Sequence, residues 1–184
     1  MRLLLVGANS KYAIEIPYLK YLKELLGNEQ VELFEAQNMF LKYYQKSIIN
    51  KILYRLGYNQ ILKKINNKLL HKVNSFKPDV ILVFKGMEIF PETLRKLKDK
   101  GILLSNYNPD NPFIFSGRGS GNNNITNSIG FYDVHFTYSK SILSELNSKY
   151  PKSSVYYLPF GFDVSDDLYN ECKKQPEIVK VCFL

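Results

Sequence analysis

Short apolar runs, separated by polar loops and by stretches with helical periodicity, recur along the whole chain. Each run is three to five residues long, which is a common length for a strand in a compact sheet. Runs of this kind predict strands that are covered on both faces, as in a parallel sheet. The six predicted strands are Leu3–Val6, Val31–Phe34, Val80–Phe84, Ile102–Leu104, Val134–Phe136 and Val155–Leu158.

Between these strands, apolar residues recur at every third or fourth position, which predicts helices that bury one face. Strands that alternate with helices imply right-handed crossovers and a parallel sheet. We therefore expect an α/β fold: a doubly wound Rossmann-like parallel sheet of about six strands, with helices on both faces and strand order 2-1-3-4-5-6. The predicted helices are Ile16–Leu26, Leu41–Leu56, Ile61–Val73, Pro91–Leu97, Ile125–Ile129 and Ser141–Leu146.

A seventh apolar run, Ile178–Leu184, follows a polar link at the carboxyl end of the sequence. A buried strand needs neighbouring strands and helices that cover it. We expect this run to find them outside the sheet that the first six runs form. We therefore expect two parts. Residues 1–165 form a Rossmann-like N-terminal domain, and residues 166–184 form a connector and the first strand of a further C-terminal domain.

Composition fits one soluble globular domain. The 184 residues are 45% hydrophobic and 23% charged, and no apolar run approaches the roughly 20 residues that span a bilayer. Cys172 and Cys182 lack disulfide or metal spacing, and the N-terminus lacks a signal-peptide layout, so we expect a cytoplasmic protein. His71 and His135 have no partner at ligand spacing, so no metal site is predicted.

The positive charge is concentrated in one helical window. Between Ala36 and Lys77 there are nine basic residues and no acidic one, whereas the rest of the chain has 16 of the 25 basic residues against all 17 acidic ones. One interpretation is an ordinary core-facing helix whose lysines extend along its edges. The apolar arc would then be Leu41, Tyr44, Ile48, Ile52 and Leu56.

The other interpretation of this window is an electropositive surface. Lysines near a membrane attract anionic lipid head groups, and an acidic glycan would be attracted in the same way. Nucleic acid is not expected, because no helix-turn-helix, RNP or OB pattern accompanies the charge. The candidate patch, on two helices expected at the rim of the domain, consists of Lys42, Lys46, Lys63, Lys64 and Lys68.

Candidate chemistry follows the strands. In a doubly wound sheet, ligands lie outside the carboxyl ends of the strands at the switch point, here beside the first strand. The loops expected there are Gly7–Lys11, Lys85–Glu88 and Asn106–Asn111. Asp110 is a candidate base, and Lys85 is a candidate for orienting a hydroxylated or anionic ligand. The alternatives are a tight strand-to-helix turn, a solvated strand end and a turn built from good turn formers.

Five sequence blocks have a more specific order and spacing. They are Lys77–Gly86 (KPDVILVFKG), Pro91–Leu94 (PETL), Asn106–Pro112 (NYNPDNP), Tyr132–Thr137 (YDVHFT) and Tyr157–Asp163 (YLPFGFD). Together they resemble the N-terminal half of the CgeB-like (spore maturation protein-like) glycosyltransferases. The resemblance covers residues 77–184 well and residues 1–35 only in pattern. The helical insertion at 36–77 departs from a minimal Rossmann pattern.

The resemblance implies a GT-B enzyme, in which two Rossmann-like domains face a cleft. This chain would be the acceptor-side half, and the nucleotide-sugar donor would bind the other domain, so no cofactor is expected in this one. The implied partner is a glycan, lipid-linked or protein acceptor. The rival interpretation is a non-catalytic α/β ligand-binding or interaction module. The residues implied to face the cleft are Asn9, Ser10, Lys85, Glu88, Asn108, Asp110 and Asn111.

Overall fold

The computed structural model describes residues 1–115, 117, 119–161, 170, 171, 173 and 174. The predicted connector and seventh strand, residues 166–184, lie outside the described residues apart from four positions. The described strands are β1 (Leu3–Val6), β2 (Val31–Phe34), β3 (Val80–Phe84), β4 (Leu103–Tyr107), β5 (Val134–Thr137) and β6 (Ser154–Tyr157).

Helices fill the connections between the strands. They are α1 (Glu15–Leu26), α2 (Ala36–Lys46), α3 (Ile48–Arg55), α4 (Gln60–Phe76), α5 (Pro91–Lys98), α6 (Asn123–Ser128) and α7 (Lys140–Lys149), with short 3-10 turns at Asn28–Gln30 and Ile129–Phe131. Pro91 stands in the first turn of α5, where its missing N–H leaves no hydrogen bond unmade. Ser139 caps α7, as its position before a helical stripe predicts, because its hydroxyl accepts from the N–H of Ile142.

The six strands form one parallel sheet in the order β2-β1-β3-β4-β5-β6, which confirms the predicted fold class and strand order. Leu3 pairs with Val31 of β2 on one side and with Val80 of β3 on the other. Chain order reverses at β1: the connection after β1 leads to β2 on one side, and the connection after β3 leads to β4 on the other. The two connections therefore leave a crevice at the carboxyl ends of β1 and β3, which is the switch point.

Alternate residues of β1 serve two separate cores. Leu3 and Leu5 pack with α1, whereas Leu4 and Val6 pack with α4 and α5. All four are nearly inaccessible to solvent, as expected for an apolar strand with helices on both faces. A third cluster joins α7 to the far edge of the sheet through Ile142 and Val155.

The helical window was predicted as two helices but contains three. The expected helix Leu41–Leu56 is interrupted at Ser47, whose extended backbone ends α2 and whose hydroxyl accepts from the N–H of Ile49 to begin α3. Apolar periodicity alone concealed this break, because Tyr44 and Ile48 keep helical spacing across it.

The expected core-facing arc of this window was also wrong. Leu41 on α2 is exposed, and so are Ile48, Ile52 and Leu56 beyond the break at Ser47. The core below the window is supplied instead by α4, through Ile65 and other buried residues on its inner face. Among the described residues, no helix is both long enough and apolar enough to cross a membrane.

A candidate acidic site where β1 and β3 end

A cavity of about 210 Å³ opens over the switch point. Its walls come from the loop after β1, the first turn of α1, the loop after β3 and one residue of the loop after β4. Two carboxylic acids and one ammonium group line it, together with small and apolar groups. The lining residues are Gly7, Ile14, Glu15, Gln37, Phe84, Lys85, Met87, Glu88 and Pro109. The predicted position of a ligand site and the observed cavity therefore coincide.

Gly7 makes room for a carboxylate rather than for a ligand. A Cβ atom at this position would lie 2.2 Å from Oε1 of Glu15, far inside van der Waals contact. That same oxygen accepts a hydrogen bond from the Ala8 N–H at 2.7 Å. The small turn after β1 thus allows Glu15 to fold over the strand end. Burial raises the pKa of Glu15, and the hydrogen bond from Ala8 opposes the rise.

Glu88 is the second buried carboxyl group, with only 8% of its surface exposed. Burial, the largest cause, raises the pKa of Glu88 from 4.5 to about 7. The carboxyl of Glu15 adds to the rise, whereas the backbone of Glu88 and the ammonium of Lys85 oppose it. A carboxyl group poised near neutrality can both accept and donate a proton at physiological pH.

Lys85 connects the site to two further loops. Its Nζ lies 2.5 Å from Oδ2 of Asp110 and donates to the Gly119 carbonyl at 2.6 Å. The backbone at Lys85 is left-handed (φ 60°), and the next residue, Gly86, also has positive φ (98°). A non-glycine residue in this conformation is uncommon and clusters at functional sites. The turn directs Lys85 across the strand ends toward the loop after β4.

Asp110, the predicted base, is engaged by Lys85 rather than free. It does not line the cavity, although its neighbour Pro109 does. The prediction that Asp110 removes a proton therefore stays a prediction. In this arrangement, what Asp110 does structurally is fix the position of the Lys85 ammonium group beside the cavity.

The remaining predicted residues after β4 shape their own loop. Asn108 is buried, and its Oδ1 accepts from the Asp110 N–H, which makes a short turn. Its Nδ2 is buried with no hydrogen-bond partner among the described residues. Oδ1 of Asn111 accepts from the N–H groups of Phe113 and Ile114. The turn-forming alternative accounts for Asn111, and Asn108 retains an unused donor.

The predicted residues after β1 lie at the outer side of the site. The Asn9 side chain donates to Oε1 of Glu35 at 2.7 Å, and its backbone exchanges two hydrogen bonds with the Asn38 side chain. Ser10 is exposed, and its carbonyl accepts from the Ala13 N–H. Neither residue lines the cavity, so the structure separates them from Lys85 and Glu88.

The loop that carries Glu88 is fixed from two sides. Asn66, buried on α4, donates to the Glu88 carbonyl and accepts from the Phe90 N–H. Asn122 and Asn124 both donate to the Met87 carbonyl, at 2.9 and 2.8 Å. Both asparagines come from a stretch of the sequence rich in glycine and asparagine, residues 117–124. They hold the β3–α5 loop in one conformation.

Sequence reasoning missed Glu15 and Asn66. Glu15 fits the ordinary pattern of an acid in the first turn of a helix, just before Pro17. A possible signal was Gly7, because a small residue directly after a buried strand leaves room for another group. Asn66 interrupts the apolar stripe of α4 on its buried side, and a buried amide requires hydrogen-bond partners. No local pattern names those partners.

The five candidate lysines of the basic window do not line this cavity. All five candidate lysines are exposed, as predicted. Four of them, Lys42, Lys46, Lys64 and Lys68, line a groove of about 350 Å³ between α2 and α4. Among the described residues, none of the five forms an ion pair with a carboxylate, whereas Lys72 on the same helix pairs with Glu32. The structure therefore contains two separate charged regions.

Known structures share this architecture. No protein-family model matches the chain, and no curated protein matches its sequence. The UDP-GlcNAc 2-epimerase of Neisseria meningitidis, bound to UDP-GlcNAc, aligns with a TM-score of 0.53 and 15% identity, over 84% of this chain and 45% of that one. The S. aureus MnaA of a co-structure with UDP aligns with a TM-score of 0.56 and 16% identity, over 85% of this chain and 43% of that one.

This chain spans less than half the length of either protein. At such low identity the likeness concerns the fold, and the CgeB-like resemblance stays a prediction. The chain thus has a Rossmann-like α/β fold, which it shares with these two structures.

Proposed function

We propose that this chain is the acceptor-binding lobe of a glycosyltransferase, which transfers a sugar from a nucleotide-sugar to a glycan, lipid-linked or protein acceptor. The observation that supports this most directly is the cavity at the ends of β1 and β3. It combines two buried carboxyl groups and one ammonium group in a fold that UDP-sugar enzymes share. Carboxyl and ammonium groups suit a ligand rich in hydroxyls, because they supply both acceptors and donors.

The nucleotide-sugar donor is expected to bind a second domain that is not part of this chain. The CgeB-like resemblance supports this division, since the two Rossmann-like domains of GT-B enzymes face each other across a cleft. This chain alone would then bind an acceptor without turnover.

Glu88 is the better-placed base. Sugar transfer to a hydroxyl requires the acceptor oxygen to lose its proton, and a base whose pKa is near the working pH is the most effective. Glu88 lines the cavity with a pKa of about 7, whereas Asp110 is paired with Lys85 outside it. Lys85 would then orient the acceptor hydroxyl, and Asp110 would position Lys85.

The test is a binding experiment on the 184-residue chain. A panel of mono- and disaccharides and UDP-GlcNAc would be titrated separately into ¹⁵N-labelled protein, and backbone amide shifts would be followed by NMR. We expect a saccharide to shift the Gly7, Ala8, Gly86 and Glu88 amides. Glu88→Gln and Lys85→Ala should each weaken that binding at least about tenfold, because each removes a charged hydrogen bond. Thr126→Ala, outside the cavity, should not.

Three outcomes would contradict the proposal. They are tight binding of UDP-GlcNAc by this chain alone, saccharide binding that both variants leave unchanged, and no saccharide shift at the cavity. For the full reading frame, Glu88→Gln and Asp110→Asn should be compared in transfer assays. A larger loss of kcat in Asp110→Asn would return the base role to Asp110. A reading frame without a second Rossmann-like domain would favour the non-catalytic module.

A further inference from the structure

The apolar face of helix α3 is exposed to solvent, although an amphipathic helix normally buries this face. Ile48, Ile49, Ile52 and Leu56 are 68%, 63%, 49% and 69% exposed. At 100° per residue these four side chains fall within about one third of the helix circumference. Single exposed apolar residues are ordinary, but a contiguous apolar patch marks an interaction site.

The opposite side of α3 is attached to the domain, so the outward face is not the result of a loose helix. The ring of Tyr54 packs on Phe40 and Tyr44 of α2, with ring centroids 4.8 and 5.8 Å apart. The Asn50 side chain donates to the Tyr43 carbonyl at 2.8 Å. Aromatic contacts and this hydrogen bond fix the rotation of α3 about its axis. The four apolar side chains are therefore held outward.

Basic residues accompany this face. Lys51 and Arg55 lie next to Ile48 on the helix circumference, both at the same edge of the apolar arc. On the neighbouring helices, Lys42 and Lys46 stand one turn apart on α2, as do Lys64 and Lys68 on α4, and the four line one groove. Like charges one turn apart repel each other, so rows of this kind are stabilised by a negatively charged partner.

The combination selects one class of partner. A second copy of this chain would bring the same positive charges against each other. Nucleic acid would satisfy the lysines but would leave four aliphatic side chains unused. An anionic bilayer satisfies both features, because its surface attracts lysines and its acyl boundary accepts aliphatic side chains from a helix that lies in the interface.

We propose that α3 is a membrane-docking helix that inserts Ile48, Ile49, Ile52 and Leu56 at the surface of an anionic lipid bilayer, while lysines of α2 and α4 contact the head groups. The inference does not depend on glycosyl transfer. The two classes of residue have distinct roles. The lysines provide attraction that salt screens, and the aliphatic side chains provide binding that persists when salt rises.

The first experiment compares vesicle binding by three forms of the protein. The apolar variant carries Ile48→Gln, Ile49→Gln, Ile52→Gln and Leu56→Gln. The basic variant carries Gln at Lys42, Lys46, Lys63, Lys64 and Lys68. A matched control carries Leu25→Gln and Ile114→Gln, two apolar residues that are 78% and 70% exposed elsewhere. Circular dichroism before and after heating checks that each form is folded.

We expect wild type to co-sediment with phosphatidylglycerol–phosphatidylcholine vesicles and only weakly with pure phosphatidylcholine. The apolar variant should lose at least about tenfold in affinity, since each buried aliphatic side chain contributes that much on its own. The basic variant should lose about fivefold or more for each lysine near the surface. The control should bind like wild type. Raising salt from about 0.05 to about 0.5 M should weaken vesicle binding by the wild type. The part of the binding that persists at high salt should be absent from the apolar variant.

A second measurement uses the absence of tryptophan from this sequence. Ile49→Trp gives a single reporter on α3, and Leu25→Trp gives the matched reporter on α1. Insertion should shift the emission of the α3 reporter to the blue on anionic vesicles and expose it to quenching by brominated acyl chains. The α1 reporter should show neither effect.

The proposal is overturned by any of four results. These are no binding to anionic vesicles, binding that the apolar variant retains in full, an α3 reporter that stays in water, and self-association of wild type that the apolar variant abolishes in sedimentation velocity. Tighter binding to duplex DNA than to anionic vesicles at equal salt would also overturn it, because the partner would then be a nucleic acid.

Discussion

Carboxyl groups are buried in the acidic cavity, whereas the candidate lysines on helices α2 and α4 are exposed. Glu15 and Glu88 are withdrawn from water and enclosed by backbone and asparagine contacts, whereas the five candidate lysines extend into solvent. Burial raises the pKa values of the two acids. Chemistry that moves a proton requires the first environment, and adhesion to a charged surface requires the second.

The comparison extends to apolar residues. Leu69 on α4 is inaccessible to solvent and packs between α4 and the sheet, whereas Ile52 on α3 is half exposed. Aliphatic side chains thus stabilise the fold on α4, whereas on α3 they are available for binding. Four predictions test these contrasts.

The largest expected effect separates α4 from α3. Leu69→Ala should lower the free energy of unfolding by about 2–5 kcal/mol, because it leaves a cavity in a closed core. Ile52→Ala should change it by less than about 0.5 kcal/mol, as is usual for exposed positions. Urea denaturation followed by circular dichroism measures both. A large loss in Ile52→Ala would mean that α3 buries this face in the folded chain.

Asn66→Ala should lower the free energy of unfolding by about 2–4 kcal/mol. The change removes the donor to the Leu62 and Glu88 carbonyls and the acceptor of the Phe90 N–H, and it leaves buried groups unpaired. Asn67→Ala, one position further on the exposed side of the same helix, is the control and should be nearly neutral. Hydrogen exchange should also show faster exchange at the Phe90 amide in Asn66→Ala and not in the control.

Glu88 should make stability depend on pH between its unfolded and folded pKa values. Because its pKa is raised in the folded state, folding favours the protonated form, so its contribution is present below about pH 4.5 and is lost as pH rises through about 7. Between pH 5 and pH 8 wild type should lose about 2 kcal/mol more stability than Glu88→Gln. The charged and titratable groups that act on it are Lys85, Glu15 and Tyr54.

The measurement is urea denaturation of both proteins at matched pH values. Lys85→Ala provides a check on sign: without the ammonium group the pKa of Glu88 should rise, and the loss of stability should shift to higher pH. Parallel pH profiles for wild type and Glu88→Gln would show that this carboxyl group does not titrate in the expected range.

Gly7→Ala should lower the free energy of unfolding by about 1–2 kcal/mol, because the new Cβ atom displaces Glu15 from its contact with Ala8. This is the smallest of the four expected effects. Gly117→Ala is the matched control, since a Cβ atom there meets no atom within 4 Å. The midpoints of thermal unfolding of the two variants are compared. An unchanged midpoint in Gly7→Ala would mean that Glu15 can move at little cost in free energy.

Several features followed from the sequence alone. The bounds of β1, β2 and β3 were predicted to the residue, because these apolar runs are short and bounded by strong turn formers. The strand order followed from strand–helix alternation and the handedness of crossovers. β4 was expected to end at Leu104 but continues to Tyr107, because the side chains of Ser105 and Asn106 donate hydrogen bonds to carbonyls of the neighbouring strand β3.

Only the tertiary structure decided which charged groups act together. Glu15 is far in the sequence from Lys85 and Glu88, and it meets them because parallel strands bring their carboxyl ends to one edge of the sheet. The direction of α3 was likewise undetermined, since apolar periodicity shows that a helix has an apolar face but not whether a core lies beneath it. That depends on the break at Ser47 and the packing of Tyr54 on α2. The sequence determined the local elements because hydrophobic periodicity is local, and the site and the exposed face depended on contacts between distant residues.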